Sequence, residues 1–287
     1  MRNDAIAIIG GSGLYDLAGL TDVREHEVDT PYGPPSSPIV AGSLGARRVL
    51  FLARHGRGHR LTPSEVNYRA NIFALKSLGA GEVLSVSAVG SMREEIRPGD
   101  IVFPDQYIDR TKGRPSTFFG DGIVGHVGFA DPTCDALGAR LRAAANGLGL
   151  PHHDGGTLMV MEGPAFSTRA ESRMHRQLGV DLIGMTAMPE AKLAREAELC
   201  YATIALATDY DCWHESEEDV TVGAVIAVMR KNVASARELI RAVASEAPGA
   251  ERACPCATAL EHAIVTERSA IPAETKRRMK PIFGRVL

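Results

Sequence analysis

Short apolar, β-branched runs alternate with amphipathic stretches along most of the chain, and these two periodicities predict an α/β protein. Strands are predicted at Ala5–Ile9, Arg47–Ala53, Val83–Val89, Ile101–Phe103, Gly156–Met161, Val180–Met185 and residues 201–208. Glycine, proline or polar residues punctuate them, and Gly90 reads as the stop of the third. Thr62, Pro63 and Glu65 read as N-cap, first helical residue and capping box of a helix on Val66, Ala70, Phe73 and Ala74 that ends at Gly79. Helical spacing returns at Ala136–Leu148, from Pro189 along Glu190, Leu193, Ala194 and Ala197, and at Val220–Val243. Residues 29–38 and 109–133 are turn- or loop-like. Several strand-to-strand links are too short for crossovers, so the expected fold is a single α/β domain with a central mixed β-sheet flanked by helices. From Glu246 the character changes to Pro248-Gly249, Cys254-Pro255-Cys256, a short helical stretch at Ala257–Ile264 and a basic tail. The expected organisation is a body over 1–245 and a C-terminal extension over 246–287 packed on the same domain.

Composition narrows the class. The 287 residues are 45% hydrophobic, enough for a sizeable core, and Lys plus Arg (32) nearly balance Asp plus Glu (35), a formal charge of -3. That balance carries no electrostatic footprint for nucleic acid or an anionic membrane. Five cysteines in mostly apolar contexts suit a reducing compartment. The first apolar run enters a Gly turn directly and reads as a strand rather than a signal peptide, and no run approaches the ~18 apolar residues of a membrane span. A cytoplasmic protein is expected.

The chemically competent residues fall after strands. Gly10-Gly11-Ser12-Gly13-Leu14 lets backbone N–H groups approach an anion, but it lacks the third glycine of a dinucleotide fingerprint and equally suits a tight turn. Arg54-His55-Gly56-Arg57-Gly58-His59 reads as a mobile, cationic loop, either solvated or an oxyanion clamp in which Arg offers a planar fork and His a second donor. Ser87 reads as a turn hydroxyl and His126 as structural, while Phe166 either stacks on a flat ring or fills core. At the end of the most apolar run stand Asp209 and Asp211, which an extended backbone points to one side. Such a pair caps a following helix, holds Mg²⁺ with phosphates, or receives an amine and ring nitrogen of a heterocycle. Cys254 and Cys256 read as two thiols in a surface turn, because two thiols do not make a zinc site.

Five motifs, Gly10–Leu14, Arg54–His59, Glu162–Ser167, Gly184–Glu190 and Ala207–Trp213, stand in the order seen in the trimeric purine nucleoside phosphorylases. The chain resembles that family from about Gly10 to Met229, most closely its branch acting on 5′-methylthioadenosine, and the tail beyond Glu246 matches poorly. The resemblance implies a catalytic domain over 1–245 and phosphorolysis of 5′-methylthioadenosine to adenine and 5-methylthioribose 1-phosphate, with adenosine or inosine phosphorolysis as the alternative. It implies a phosphate site of Ser12, Arg54, His55, Ser87, the Ala88 backbone and Thr186. Met185, His59, His126, Val222 and Val225 are implied for the ribose and 5′ side, His126 reaching in from a neighbouring subunit. Gly90, Phe166, Ser167, Asp209 and Asp211 are implied for the base, with Asp209 catalytic. Serine at 12 and 87, where the family often has threonine, keeps the hydroxyl and loses a methyl. In 6-oxopurine phosphorylases Asn resembles the acid position, so two acids point to a 6-aminopurine. Two adjacent acids are expected to raise each other's pKa. No cofactor or metal is expected, phosphate being a co-substrate, and the expected assembly is a homotrimer or a dimer of trimers.

Overall fold

β1 (Ala5–Gly10) is buried along its whole length because the sheet is covered on both faces. The computed structural model describes residues 4–11, 14, 19–214, 222–246 and 254–287, with backbone alone at 222, 224, 225, 227 and 229–231. After β1 come β2 (Leu20–His26), β3 (Ile39–Leu44), β4 (Arg47–Ala53), α1 (Tyr68–Ser77), β5 (Ala80–Ser91), β6 (Ile101–Phe103) and β7 (Gln106–Arg110). The middle of the chain adds α2 (Asp135–Gly147), β8 (His152–Asp154), β9 (Thr157–Met161), α3 (Arg169–Gln177), β10 (Leu182–Gly184) and α4 (Ala187–Glu196). β11 (Cys200–Asp209), α5 (Val222–Ser245), α6 (Ala273–Arg278) and α7 (Lys280–Phe283) complete it. No described helix is long and apolar enough to cross a membrane.

The strands form one eleven-stranded mixed sheet in the order β2-β3-β4-β1-β5-β10-β9-β7, with β11, β6 and β8 branching from β5. Alternation along β1 divides the core. Ala5, Ala7 and Ile9 pack with α1, α4 and the C-terminal residues Ile271, Ile282 and Phe283, while Ile6 and Ile8 pack with Leu141 of α2 and Leu239 and Ile240 of α5. Residues from both ends of the chain therefore share one core.

The sheet splits where β5 changes neighbour. β1 runs parallel to β5 only as far as the Ile9–Ser85 pair, and antiparallel β10 joins β5 at Gly90 through Ile183. β11 meanwhile follows the other side of β5 in parallel as far as Gly90. Among the described residues, Val86–Val89 thus have an open edge on the β1 side. Carbonyls and amides of alternate strand residues point to the same edge, so Val86 and Ala88 face this gap.

Several local expectations are corrected. Glu65 Oε2 does accept from the Thr62 N–H and Oγ1, but that box closes a turn. α1 starts after Asn67, whose Oδ1 accepts from the Ala70 N–H. Gly90 continues β5 instead of stopping it. The stretch at Ala257–Ile264 is only a 3₁₀ turn, Pro255–Thr258, followed by turns. α3 was not anticipated, although Thr168 and Glu171 form a full capping box. β2 escaped notice because its residues are charged and mostly exposed, as suits a sheet edge.

Candidate active site

Parallel strands β1, β4, β5 and β11 end on the same side, so Gly10, Arg54, Ser87–Gly90 and Asp209 collect at one rim. β10, running back along β5, delivers Met185 and Thr186 toward Ser87 and Ala88. Ser87 and Ala88 are the partly exposed residues of an otherwise buried stretch of β5. Thr186 is buried at the N-cap position of α4 and its hydroxyl makes no capping bond.

Arg54 differs from the expected mobile, cationic clamp. It is 2% exposed, and its Nε and Nη2 meet both carboxylate oxygens of Glu190 at 3.0 and 3.2 Å. Nη2 also reaches Ser85 Oγ at 2.7 Å, and Nη1 donates to the Val86 carbonyl at 2.9 Å, on the open edge of β5. Burial disfavours the charge of the guanidinium, and the charge and hydrogen bonds of Glu190 outweigh that and push its pKa up. Glu190 additionally accepts from Ser85 Oγ at 2.6 Å and Tyr201 OH at 3.0 Å. Sequence reading placed Glu190 only on a helix. Its signal was an acid on the apolar face between Ala187 and Leu193.

His55 is also corrected. Its Nδ1 lies 2.8 Å from the Leu61 carbonyl, which only accepts, so Nδ1 carries the hydrogen and Nε2 an open lone pair. Burial and the Arg54 charge push its pKa down to about 4. The ring is therefore a neutral acceptor near neutral pH rather than a second donor. His59, exposed and at positive φ, stacks on it at 4.3 Å. The loop itself closes as successive hydrogen-bonded turns from Ala53 to Leu61.

At the acidic end the extended alternation stops at Asp209. Thr208 Oγ1 and the Asp211 N–H donate to the two Asp209 oxygens at 2.7 and 2.8 Å. Asp211 takes positive φ and turns toward Ser167, Ser172 and His175, so the acids are not parallel prongs of one strand. Burial raises the pKa of both, and the charge of Asp211 adds only a smaller increment at Asp209. Desolvation, not mutual repulsion, is the main cause. Asp211 Oδ2, Ser172 Oγ and His175 Nδ1 are buried without a hydrogen-bond partner among the described residues. Cys212 Sγ meets the Ser167 carbonyl at 3.3 Å, tying the segment before α3 to the Asp pair. Phe166, 43% exposed, stands at the rim.

Gly90 lies against both sides of this arrangement. A Cβ there would fall 2.8 Å from Ile183 Cγ2 and 3.0 Å from Asp209 Oδ1. Gly90→Ala is expected to push the Asp209 carboxyl out of register and lower kcat by up to about 10²-fold, measured in steady-state assays beside an unchanged far-UV spectrum.

Arg114 was missed as well. Its buried guanidinium donates to the Met185 and Met188 carbonyls at 2.7 and 2.9 Å and to the Glu162 carbonyl at 2.6 Å, fixing the backbone around Met185. Ser12 lies outside the described residues, as do the side chains of Val222 and Val225, whose helix is described. His126 is exposed on the loop after β7, its N–H bonded to the Ala263 carbonyl of the C-terminal segment. The expectation of a surface turn at Cys254 and Cys256 fails, since Cys256 is buried and both pack beside Cys134 and Cys200.

Residues 5–245 match the phosphorylase superfamily. An S-methyl-5′-thioadenosine phosphorylase of Geobacter sulfurreducens is 60% identical over 280 residues, covering 97% of this chain and 98% of that protein. The chain belongs to the methylthioadenosine phosphorylases of that superfamily. A relative of the same name in Koribacter versatilis is 53% identical, with 98% and 96% covered. A methylthioadenosine phosphorylase structure from an antarctic soil metagenomic library superposes with a TM-score of 0.93 at 50% identity, over 98% and 99% of the two chains. The enzyme from Schistosoma mansoni in complex with adenine superposes at 0.81 and 40% identity, over 84% and 91%. The extension beyond Glu246, expected to match poorly, is therefore shared with the bacterial methylthioadenosine phosphorylases.

Proposed function

We propose that this chain catalyses phosphorolysis of 5′-methylthioadenosine to adenine and 5-methylthioribose 1-phosphate, a pentosyl transfer serving purine and methionine salvage in the cytoplasm. The observation that carries the reading is a protonatable acid pair at the end of β11 on the same rim as the open edge of β5. The C1′–N9 bond breaks, its electron pair leaves with the base, and Asp209 supplies a proton or hydrogen bond at N7. Asp211 Oδ2, buried without a hydrogen-bond partner among the described residues, is the acceptor for the exocyclic amine. Phosphate attacks C1′ from the opposite face, its oxygen forming the new bond. The Ala88 N–H on the open edge, the hydroxyls of Ser87, Thr186 and Ser12, and the remaining Nη1–H of Arg54 serve as its donors, while His55 Nε2 accepts from the P–OH. Met185 forms the ribose floor, with His59, Val222 and Val225 toward the 5′ group. Phe166, Ser167 and Gly90 enclose the base. Positioning and preorganised donors carry most of the acceleration. No cofactor enters this chemistry.

We further propose a homotrimer, singly or as a dimer of trimers, in which His126 of a neighbouring subunit completes the 5′ side. Adenine release from methylthioadenosine, adenosine and inosine, each with and without phosphate, tests the activity. Release that continues undiminished without phosphate would make the enzyme a hydrolase, and faster inosine cleavage would favour general purine nucleoside phosphorolysis.

Specificity offers a separate test. Asn at 211 would present an amide donor where Asp211 presents an acceptor to the 6-amine, and so meet a 6-carbonyl. Asp211→Asn is expected to shift the ratio of kcat/KM for inosine over methylthioadenosine upward by about 10²-fold, since sites built to hydrogen-bond one group discriminate strongly against its replacement.

A further inference from the structure

The first residue of β11 lies at the opposite end of the strand from Asp209, about 30 Å away at the rise of an extended chain. There Cys200 meets Cys134, the N-cap residue of α2, and Cys254 and Cys256 from the C-terminal segment. The four Sγ atoms all lie within 4.8 Å of one another, with Cys200 and Cys254 at 3.3 Å. Cys134, Cys200 and Cys256 are buried and Cys254 is partly buried, and the described cysteines are unbridged. A tetrahedral zinc–thiolate site with bonds of about 2.3 Å has sulfur–sulfur edges of about 3.8 Å. The observed convergence needs only small side-chain adjustment to meet that.

We infer that Cys134, Cys200, Cys254 and Cys256 form a structural tetrathiolate site for a thiophilic divalent cation, with zinc as the fitting ion. Disulfides use sulfurs in pairs at about 2.05 Å, and the Cys254-Pro255-Cys256 span is too short for an unstrained one. A four-way cluster closed on all sides by sulfur is the arrangement of structural zinc. Binding converts four thiols to thiolates, releases four protons and leaves the complex with a charge of minus two. The N-terminus of the thirteen-residue α2 at Cys134 opposes that charge, as does Arg195 across the adjoining cleft. This cleft, about 500 Å³, is lined by Thr133, Cys134, Arg195, Cys254 and Cys256 and gives an ion its way in. The ion would join three stretches distant in sequence: the start of α2, the start of the strand that carries Asp209, and the segment whose Ala263 carbonyl holds the His126 loop. Its role is to fasten the extension to the sheet.

The test is elemental analysis of the full-length protein purified with reductant and without chelator. One equivalent of zinc per chain is expected. Cys256→Ser and Cys134→Ser are expected to lower zinc affinity about tenfold or more, while Cys212→Ser keeps the metal. Cobalt(II) exchanged into wild-type protein is expected to show thiolate-to-metal charge-transfer bands and the strong ligand-field bands of tetrahedral cobalt, which keeps the test decisive if a serine variant fails to fold. Removing zinc with a chelator lowers Tm, and added Zn²⁺ restores it. Four free thiols or two disulfides in metal-free reduced-prepared protein, with no Tm response to zinc, would overturn the assignment. So would a zinc affinity unaffected by Cys256→Ser.

Discussion

Asp209→Ala lowers kcat on methylthioadenosine by about 10²–10⁴-fold, with the KM for phosphate changed little. The side chain is half-enclosed at the end of β11, and among the described residues its oxygens take hydrogen bonds from Thr208 and the Asp211 N–H and from no cation. Burial raises its pKa. The proton is therefore retained to a higher pH than on a free aspartate, and the active form declines as pH rises through the shifted value. An alkaline limb in the kcat profile of the wild type, absent in Asp209→Asn, is the matching pH result. The same shift has a stability sign. A carboxyl that holds its proton more tightly when folded stabilises the fold fully below its unfolded pKa, and that contribution is gone above the folded one. Wild type should thus lose stability relative to Asp209→Asn as pH rises across that window. A kcat for Asp209→Ala equal to wild type would remove the residue from the chemistry, whatever its effect on stability.

The parts of this molecule that were legible in sequence are those encoded locally. Ala5–Gly10, Arg47–Ala53 and Cys200–Asp209 were readable because apolar frames buried on both faces leave no other use for the residues. The acids after the last of these stood out because a carboxylate beside such a frame needs a reason. Motif resemblance carried the site assignments further than periodicity could. What stayed hidden depends on pairings between distant segments. Glu190 is 136 residues from Arg54, and nothing near either says that one neutralises the other. The four cysteines come from three segments, so only Cys254 and Cys256 were visible as a pair. Thr62 and Glu65 spell the same capping box whether a helix or a turn follows, and Asn67 decided the matter through a bond to Ala70. Asp211 escaped the alternation rule because its positive φ breaks the strand geometry on which the rule rests.

Glu190→Ala is expected to reduce stability by about 3–5 kcal/mol, the usual result of removing one partner from a buried ion pair. The argument turns on what is left behind. Arg54 would remain almost fully buried with its charge uncompensated, and Ser85 and Tyr201 would lose the oxygen to which both donate. An exposed pair would contribute only about 0–1 kcal/mol, so urea unfolding separates the two cases by several kcal/mol. Glu190→Gln keeps one carbonyl acceptor and should fall between wild type and alanine. The double variant Arg54→Met, Glu190→Ala removes both charges and should recover much of the loss, because most of the cost lies in the orphaned guanidinium rather than in forfeited attraction. Function should follow geometry: with Glu190 gone, Arg54 is no longer fixed against the Val86 carbonyl, and the KM for phosphate rises while the pH profile assigned to Asp209 is kept. A loss confined to kcat, with phosphate KM and stability both unchanged, would contradict the view that Glu190 acts by holding Arg54 at the open edge of β5.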